Sequence, residues 1–148
     1  MSPSTSDSIA RVLAAYQAAV HAKDLDAFCA LYDDDVHVFD MWGSWAYQGL
    51  PAWRAMAADW FGSLGSERVR VDVADLRVQG DGDFAAAHAF LRFTAESADG
   101  QVLRSLDNRL SLVLQRRAGT WKIVHEHTSA PVDFGTGKVL LRREAVGP

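Results

Sequence analysis

Hydrophobic residues recur at helical spacing over the first part of the chain and at alternating spacing over the second. Ile9, Val12, Leu13, Tyr16, Ala19 and Val20 form one stripe, which predicts a helix over residues 7–22 capped by Ser6 or Asp7. Leu25, Phe28, Leu31 and Tyr32 predict a second, shorter helix capped by Asp24, and Asp33-Asp34-Asp35 reads as the solvated turn that ends it. Residues 36–40 then alternate: Val36, Val38 and Asp40 fall on one face, His37 and Phe39 on the other. A loop rich in rings follows (Trp42, Trp45, Tyr47). Pro51 suits the first turn of a third helix, whose apolar face carries Trp53, Met56, Ala57, Trp60 and Phe61.

From Glu67 the period becomes two. Val69, Val71 and Val73 alternate with charged residues, and turns at Gly80-Asp81-Gly82 and Ala98-Asp99-Gly100 bracket a long strand over residues 83–96. A hairpin closes the pattern around Arg117-Ala118-Gly119. Its first arm places Leu110, Leu112 and Leu114 opposite Arg109, Ser111 and Val113. Its second places Trp121, Ile123, His125 and His127 opposite Val124, Glu126 and Thr128. The predicted class is α+β in the order α-α-β-α-β-β-β-β, a cone-shaped curved antiparallel sheet wrapped around three N-terminal helices. One domain spans residues 7–131. Residues 1–6 are expected to be disordered, and residues 132–148 to form a tail docked by Leu140 and Leu141. The far sheet face also reads as apolar, so a homodimer is expected through Leu112, Leu114, His125 and His127.

Composition narrows the function classes. A chain of 148 residues with 49% hydrophobic residues fills one core, and five Trp with seven Phe point to a ring-lined pocket or interface. The net charge of −4, with scattered basic residues, argues against nucleic acid as a partner. One cysteine, Cys29, excludes an internal disulfide and reads as a buried thiol. The N-terminal residues lack an apolar signal core and no run is long enough for a transmembrane helix, so a cytoplasmic location without membrane contact is expected.

Candidate chemistry lies at few positions. Asp40, at a strand end beside Phe39, Met41 and Trp42, is a desolvated carboxylate suited to proton abstraction next to a carbonyl, or else a loop-capping Asp bonded to backbone amides. Tyr16 is an oxyanion donor or a core residue with a satisfied hydroxyl. Arg92, Arg109 and Glu126 share parity with His88, Phe90 and Thr128. In register they would meet at a cavity, as an anion clamp or as a closed Arg109–Glu126 pair. His125 and His127 begin a metal site only if His37 or His88 joins them. Interfacial histidines are the plainer reading, and neither metal nor cofactor is expected. Trp42, Trp53 and Trp60 are core or an apolar cavity wall.

The architecture and the motif Trp-Lys-Ile-Val-His-Glu-His-Thr-Ser-Ala-Pro over residues 121–131 resemble the SnoaL-like, ketosteroid-isomerase-like members of the nuclear transport factor 2-like superfamily. The resemblance covers about residues 7–131. It implies a fold that hosts isomerases, cyclases, dehydratases, dioxygenase subunits and non-catalytic assembly domains, so function must come from the site. Tyr16, Lys23-Asp24, Asp40 and Gly43 match the ketosteroid isomerase pattern, which implies Asp40 as general base and Tyr16 as oxyanion donor. The second acid of those enzymes has its nearest counterpart in Asp107, while its own position falls on Ser111 or Val113. The hairpin is also similar to the association domain of calcium/calmodulin-dependent protein kinase II, which implies pocket arginines at Arg92 and Arg109 and a third position at Thr128. The expected function is a dimeric small-molecule pocket protein. It acts as a cofactor-independent isomerase, cyclase or dehydratase on an apolar carbonyl compound, or as a non-catalytic binding module for a small carboxylate, or as an assembly domain.

Overall fold

The computed structural model describes residues 3–144. Three helices, α1 (Thr5–Ala22), α2 (Leu25–Cys29) and α3 (Leu50–Ser63), lie against one sheet built from β1 (Tyr32–Phe39), β2 (Tyr47–Gln48), β3 (Arg68–Asp81), β4 (Phe84–Glu96), β5 (Val102–Arg117) and β6 (Thr120–Ser129). The strand order is β2-β1-β6-β5-β4-β3. All neighbours are antiparallel except β1 and β6, which run parallel. The predicted meander is therefore present, with β1 added along its open edge and the two-residue β2 in what read as a plain loop.

Local chemistry sets the element ends. Ser4 caps α1 by accepting the Asp7 amide at 3.1 Å, so the helix starts ahead of the expected Ser6 or Asp7 cap. Lys23 closes it in the left-handed region (φ 53°), and Asp24 caps α2 through the Ala27 amide at 3.0 Å. The turn between β5 and β6 has both central residues at positive φ, Ala118 at 51° and Gly119 at 79°, as a two-residue hairpin turn matched to the sheet twist demands. The Asp33-Asp34-Asp35 run is strand rather than turn: Asp33 is buried and its carboxylate pairs with Arg117 at 2.9 Å. A partner far along the chain thus overrides the local turn preference.

One irregularity decides which residues face inward. Leu112 lies opposite Glu126 and Val113 opposite His125, yet Leu114 lies opposite Ile123, so Val124 is the extra residue of a β-bulge. Before the bulge Ile123 points inward with Leu114. After it Glu126 and Thr128 point inward with Leu112 and Leu110. The expected faces of β6 are corrected by this one-residue shift. So is the expected interface, because Leu112 (2% exposed) and Leu114 (0%) sit in the core beneath the helices. Phe28 is the centre of that core, with the rings of Tyr16, Tyr32, Trp53 and Phe61 at 5.1–6.2 Å. His125 and His127 remain on the outer face, edge-on to Phe39 at 5.0 and 5.5 Å.

Beyond β6 the chain doubles back through a Val132–Val139 bridge. The Asp107 amide donates to the Leu141 carbonyl at 2.8 Å, and the Arg143 amide donates to the Asp107 carboxylate at 2.7 Å. No described helix is long and apolar enough to cross a membrane.

Candidate functional site

Sheet and helices enclose a cavity of about 650 Å³, within the range of small-molecule sites. Trp53, Met56 and Trp60 of α3 form one wall, with Phe93 of β4. Asp40, Glu126, Thr128 and Asn108 supply polar groups, Tyr16 its hydroxyl, and Leu141 closes part of the rim.

Asp40 follows directly on β1, where the strand leaves the sheet. Its Oδ1 accepts the Thr128 hydroxyl at 2.9 Å, and that hydroxyl accepts the Met41 amide at 3.0 Å. Burial pushes the Asp40 carboxyl above its ordinary range, while hydrogen bonds from Thr128 and from the Trp42 and Met41 amides oppose the rise. Asp40 is therefore tethered to its loop and also lines the cavity.

Glu126 is 4% exposed. Its one short contact is from the Tyr32 hydroxyl, which donates at 2.7 Å. Burial raises its carboxyl to about 7. The Tyr32 bond pulls it down and the Asp40 charge pushes it further up. The Tyr16 hydroxyl is held far in its neutral form by burial and then by the charges of Glu126 and Asp40. The cavity thus contains two carboxyl groups raised by burial, one of them to about 7, and a neutral phenol. Arg104, a cation at the mouth, is occupied by Glu67 at 2.7 Å.

Of the sequence candidates, Asp40, Tyr16, Trp42, Trp53, Trp60, Glu126 and Thr128 come together here. His88, Phe90, Arg92 and Arg109 do not. Alternation along β4 and β5 turns them to the outer face, because Leu91, Phe93, Leu110 and Asn108 take the inward positions. Arg92 is held by Asp107 through two bonds of 2.7 and 3.0 Å, and Phe90 lies 3.7 Å beneath the Arg143 guanidinium. Arg109 bonds Ser129 at 3.0 Å. The anion clamp and the Arg109–Glu126 pair are therefore both replaced: the arginines and Glu126 occupy opposite sheet faces. Asp107 likewise points outward. His125 donates through Nδ1 to the His37 carbonyl at 2.7 Å. Among the described residues no three His, Cys, Asp or Glu side chains are grouped as metal ligands.

Asn108 was missed. Its signal in the sequence is the alternation itself: it lies two residues from Leu110 and four from Leu112, on the face that the leucines mark as inward.

An open curved sheet sheltering a cavity against three helices defines the nuclear transport factor 2-like class of fold. The chain belongs to the SnoaL-like domain family, whose model matches residues 9–133. It is similar to a nuclear transport factor 2-like protein of unknown function from Pseudomonas putida, at 27% identity over 97% of this chain and 100% of that one (TM-score 0.83). A Xanthomonas campestris protein assigned as a calcium/calmodulin-dependent protein kinase II association domain shares the fold at 17% identity, over 87% of this chain and 89% of that one (TM-score 0.74). So does the protein Aln2 from a Streptomyces species, at 18% identity over 86% and 91% (TM-score 0.74). Among curated proteins none matches the chain.

Proposed function

We propose that the protein is an acid–base enzyme that moves a proton on an apolar carbonyl compound, an isomerase, cyclase or dehydratase without a cofactor. The observation that carries this reading is the pair of carboxyl groups, Asp40 and Glu126, both raised by burial and both facing one cavity walled by rings. Paired carboxyls in unlike environments divide into a base and an acid. Asp40 has three donors that favour its ionised form, the Thr128 hydroxyl and the Trp42 and Met41 amides, against the single Tyr32 hydroxyl on Glu126, so it is the base. Glu126 retains its proton to about pH 7, so it is the acid.

In the reaction the Asp40 carboxylate takes a proton from the carbon next to the carbonyl. The C–H electron pair forms the enol double bond, and the carbonyl oxygen takes up charge or a proton from Glu126, with the Tyr16 hydroxyl as a further donor. Return of a proton to carbon completes an isomerisation. Dehydration would follow if the enolate electrons instead formed an α,β double bond and expelled a β-hydroxyl, which takes the proton held by Asp40 and leaves as water. Low dielectric around the pair strengthens each of these interactions.

Proton exchange at carbon tests this directly. Wild-type protein in D2O should speed deuterium incorporation next to the carbonyl of 2-tetralone, read by proton NMR. Asp40→Asn should lose at least a hundredfold of that rate, in line with typical general-base contributions of roughly 10²–10⁴. An equal rate in Asp40→Asn would overturn the assignment. We propose further that the protein is a homodimer, joined through the outer-face patch of Phe39, Val113, His125 and His127 rather than through the leucines. Light scattering at micromolar concentration should give twice the chain mass of 16.2 kDa, and the monomer mass would refute it.

A further inference from the structure

Asn108 sits on the inward face of β5 in the wall of the cavity, 7% exposed. Its Oδ1 is buried and has no hydrogen-bond partner, and its Nδ2 reaches only the Met41 sulfur at 3.5 Å. A thioether is a weak acceptor. Turning the amide over exchanges its two atoms without pairing both. Buried polar groups are almost always partnered in folded proteins, and leaving one unmet is costly. Asparagine is also poorly suited to a strand interior. A leucine, as at the neighbouring inward positions 106, 110 and 112, would fill this place without that cost. The polar group is kept in the wall of the cavity, where a bound molecule can satisfy it.

We infer that Asn108 is a specificity-determining residue that anchors a second oxygen of the ligand, at the end away from Glu126. The inference rests on the reading of the cavity as a ligand site. The sheet register supplies the spacing. Glu126 lies opposite Leu112, and Asn108 is four residues further along β5, roughly 14 Å at about 3.4 Å per residue. Thr128, which holds Asp40, lies opposite Leu110, one inward step from Asn108. The polar groups therefore run along one wall, facing the rings of α3. A ligand that uses the whole row is elongated, apolar across its body, and carries a hydroxyl or carbonyl at each end.

Calorimetric titration of 4-hydroxybiphenyl and 4,4′-dihydroxybiphenyl separates the two ends. Wild type should bind the dihydroxy compound about tenfold more tightly, equivalent to about 1.4 kcal/mol. Asn108→Leu should remove that preference and leave 4-hydroxybiphenyl within twofold. Asn108→Ser, which keeps a hydroxyl, should retain part of it and serves the same comparison if the leucine variant does not fold. No preference in wild type, or a preference that survives Asn108→Leu, overturns the inference while the cavity reading stands. If wild type binds neither compound, the cavity reading fails and this inference fails with it.

Discussion

Replacing Glu126 by Gln removes one titrating group and leaves most of the packing. In the folded protein burial lifts this carboxyl from its ordinary 4.5 to about 7. In the unfolded chain it titrates near the ordinary value. Between these limits the folded state holds a proton that the unfolded state has lost, so stability falls as pH rises from about 4.5 to 7 and is level above that. The gap, at 1.36 kcal/mol per pH unit, amounts to about 3 kcal/mol. Glutamine is neutral throughout, and its side-chain carbonyl can still accept the Tyr32 hydroxyl. Any cost of burying its amide is the same at every pH. The prediction therefore concerns a difference of differences. Relative to wild type, Glu126→Gln should gain about 3 kcal/mol between pH 4 and pH 8. Urea unfolding followed by tryptophan fluorescence at the two pH values measures it, and the carboxylates that do not sense Glu126 cancel in the comparison. A change below about 0.5 kcal/mol, the usual additivity error, would refute the account of Glu126 as a buried, protonated acid.

Leu112→Ala should destabilise the protein by about 2–5 kcal/mol, because the side chain is 2% exposed in the core, and should leave the mass in light scattering unchanged. A stable variant of lower mass would return Leu112 to an interface. Arg109→Ala should leave deuterium exchange into 2-tetralone within twofold of wild type, since its guanidinium bonds Ser129 on the outer face. A tenfold loss would place it in the site. The exchange rate should follow a bell in pH, rising as Asp40 ionises and falling near pH 7 as Glu126 loses the proton it donates. The falling limb should disappear in Glu126→Gln.

Helix spacing and strand alternation were enough to predict the three helices, the long meander and the cone-like class. They leave Asp40 as a desolvated or loop-capping carboxylate and Tyr16 as an oxyanion donor or core residue; the family resemblance puts both at a pocket, and both line the cavity. The errors share one physical origin. A period-two reading carries every side chain of a strand to a fixed face, and it cannot see a bulge. The extra residue at Val124 turns Ile123 and Glu126 to the same side, so Glu126 stays at the cavity as expected while the arginines expected beside it fall on the outer face. Read at period two, the leucines of β5 fall outward for the same reason, and Asn108, two positions before Leu110, falls outward with them. The parallel pairing of β1 with β6, and the Arg117 that holds Asp33 in a strand, depend on contacts distant in sequence. No local propensity encodes them.

The central claim is that one apolar cavity holds two carboxyl groups in different protonation states at neutral pH. Carbon-13 NMR of side-chain carboxyls, with the two signals assigned through Asp40→Asn and Glu126→Gln, reads this directly. The account predicts a Glu126 midpoint near 7 and an Asp40 midpoint displaced upward from its ordinary value, each moving when the other residue is neutralised. A Glu126 midpoint near 4.5 that ignores Asp40→Asn would contradict it.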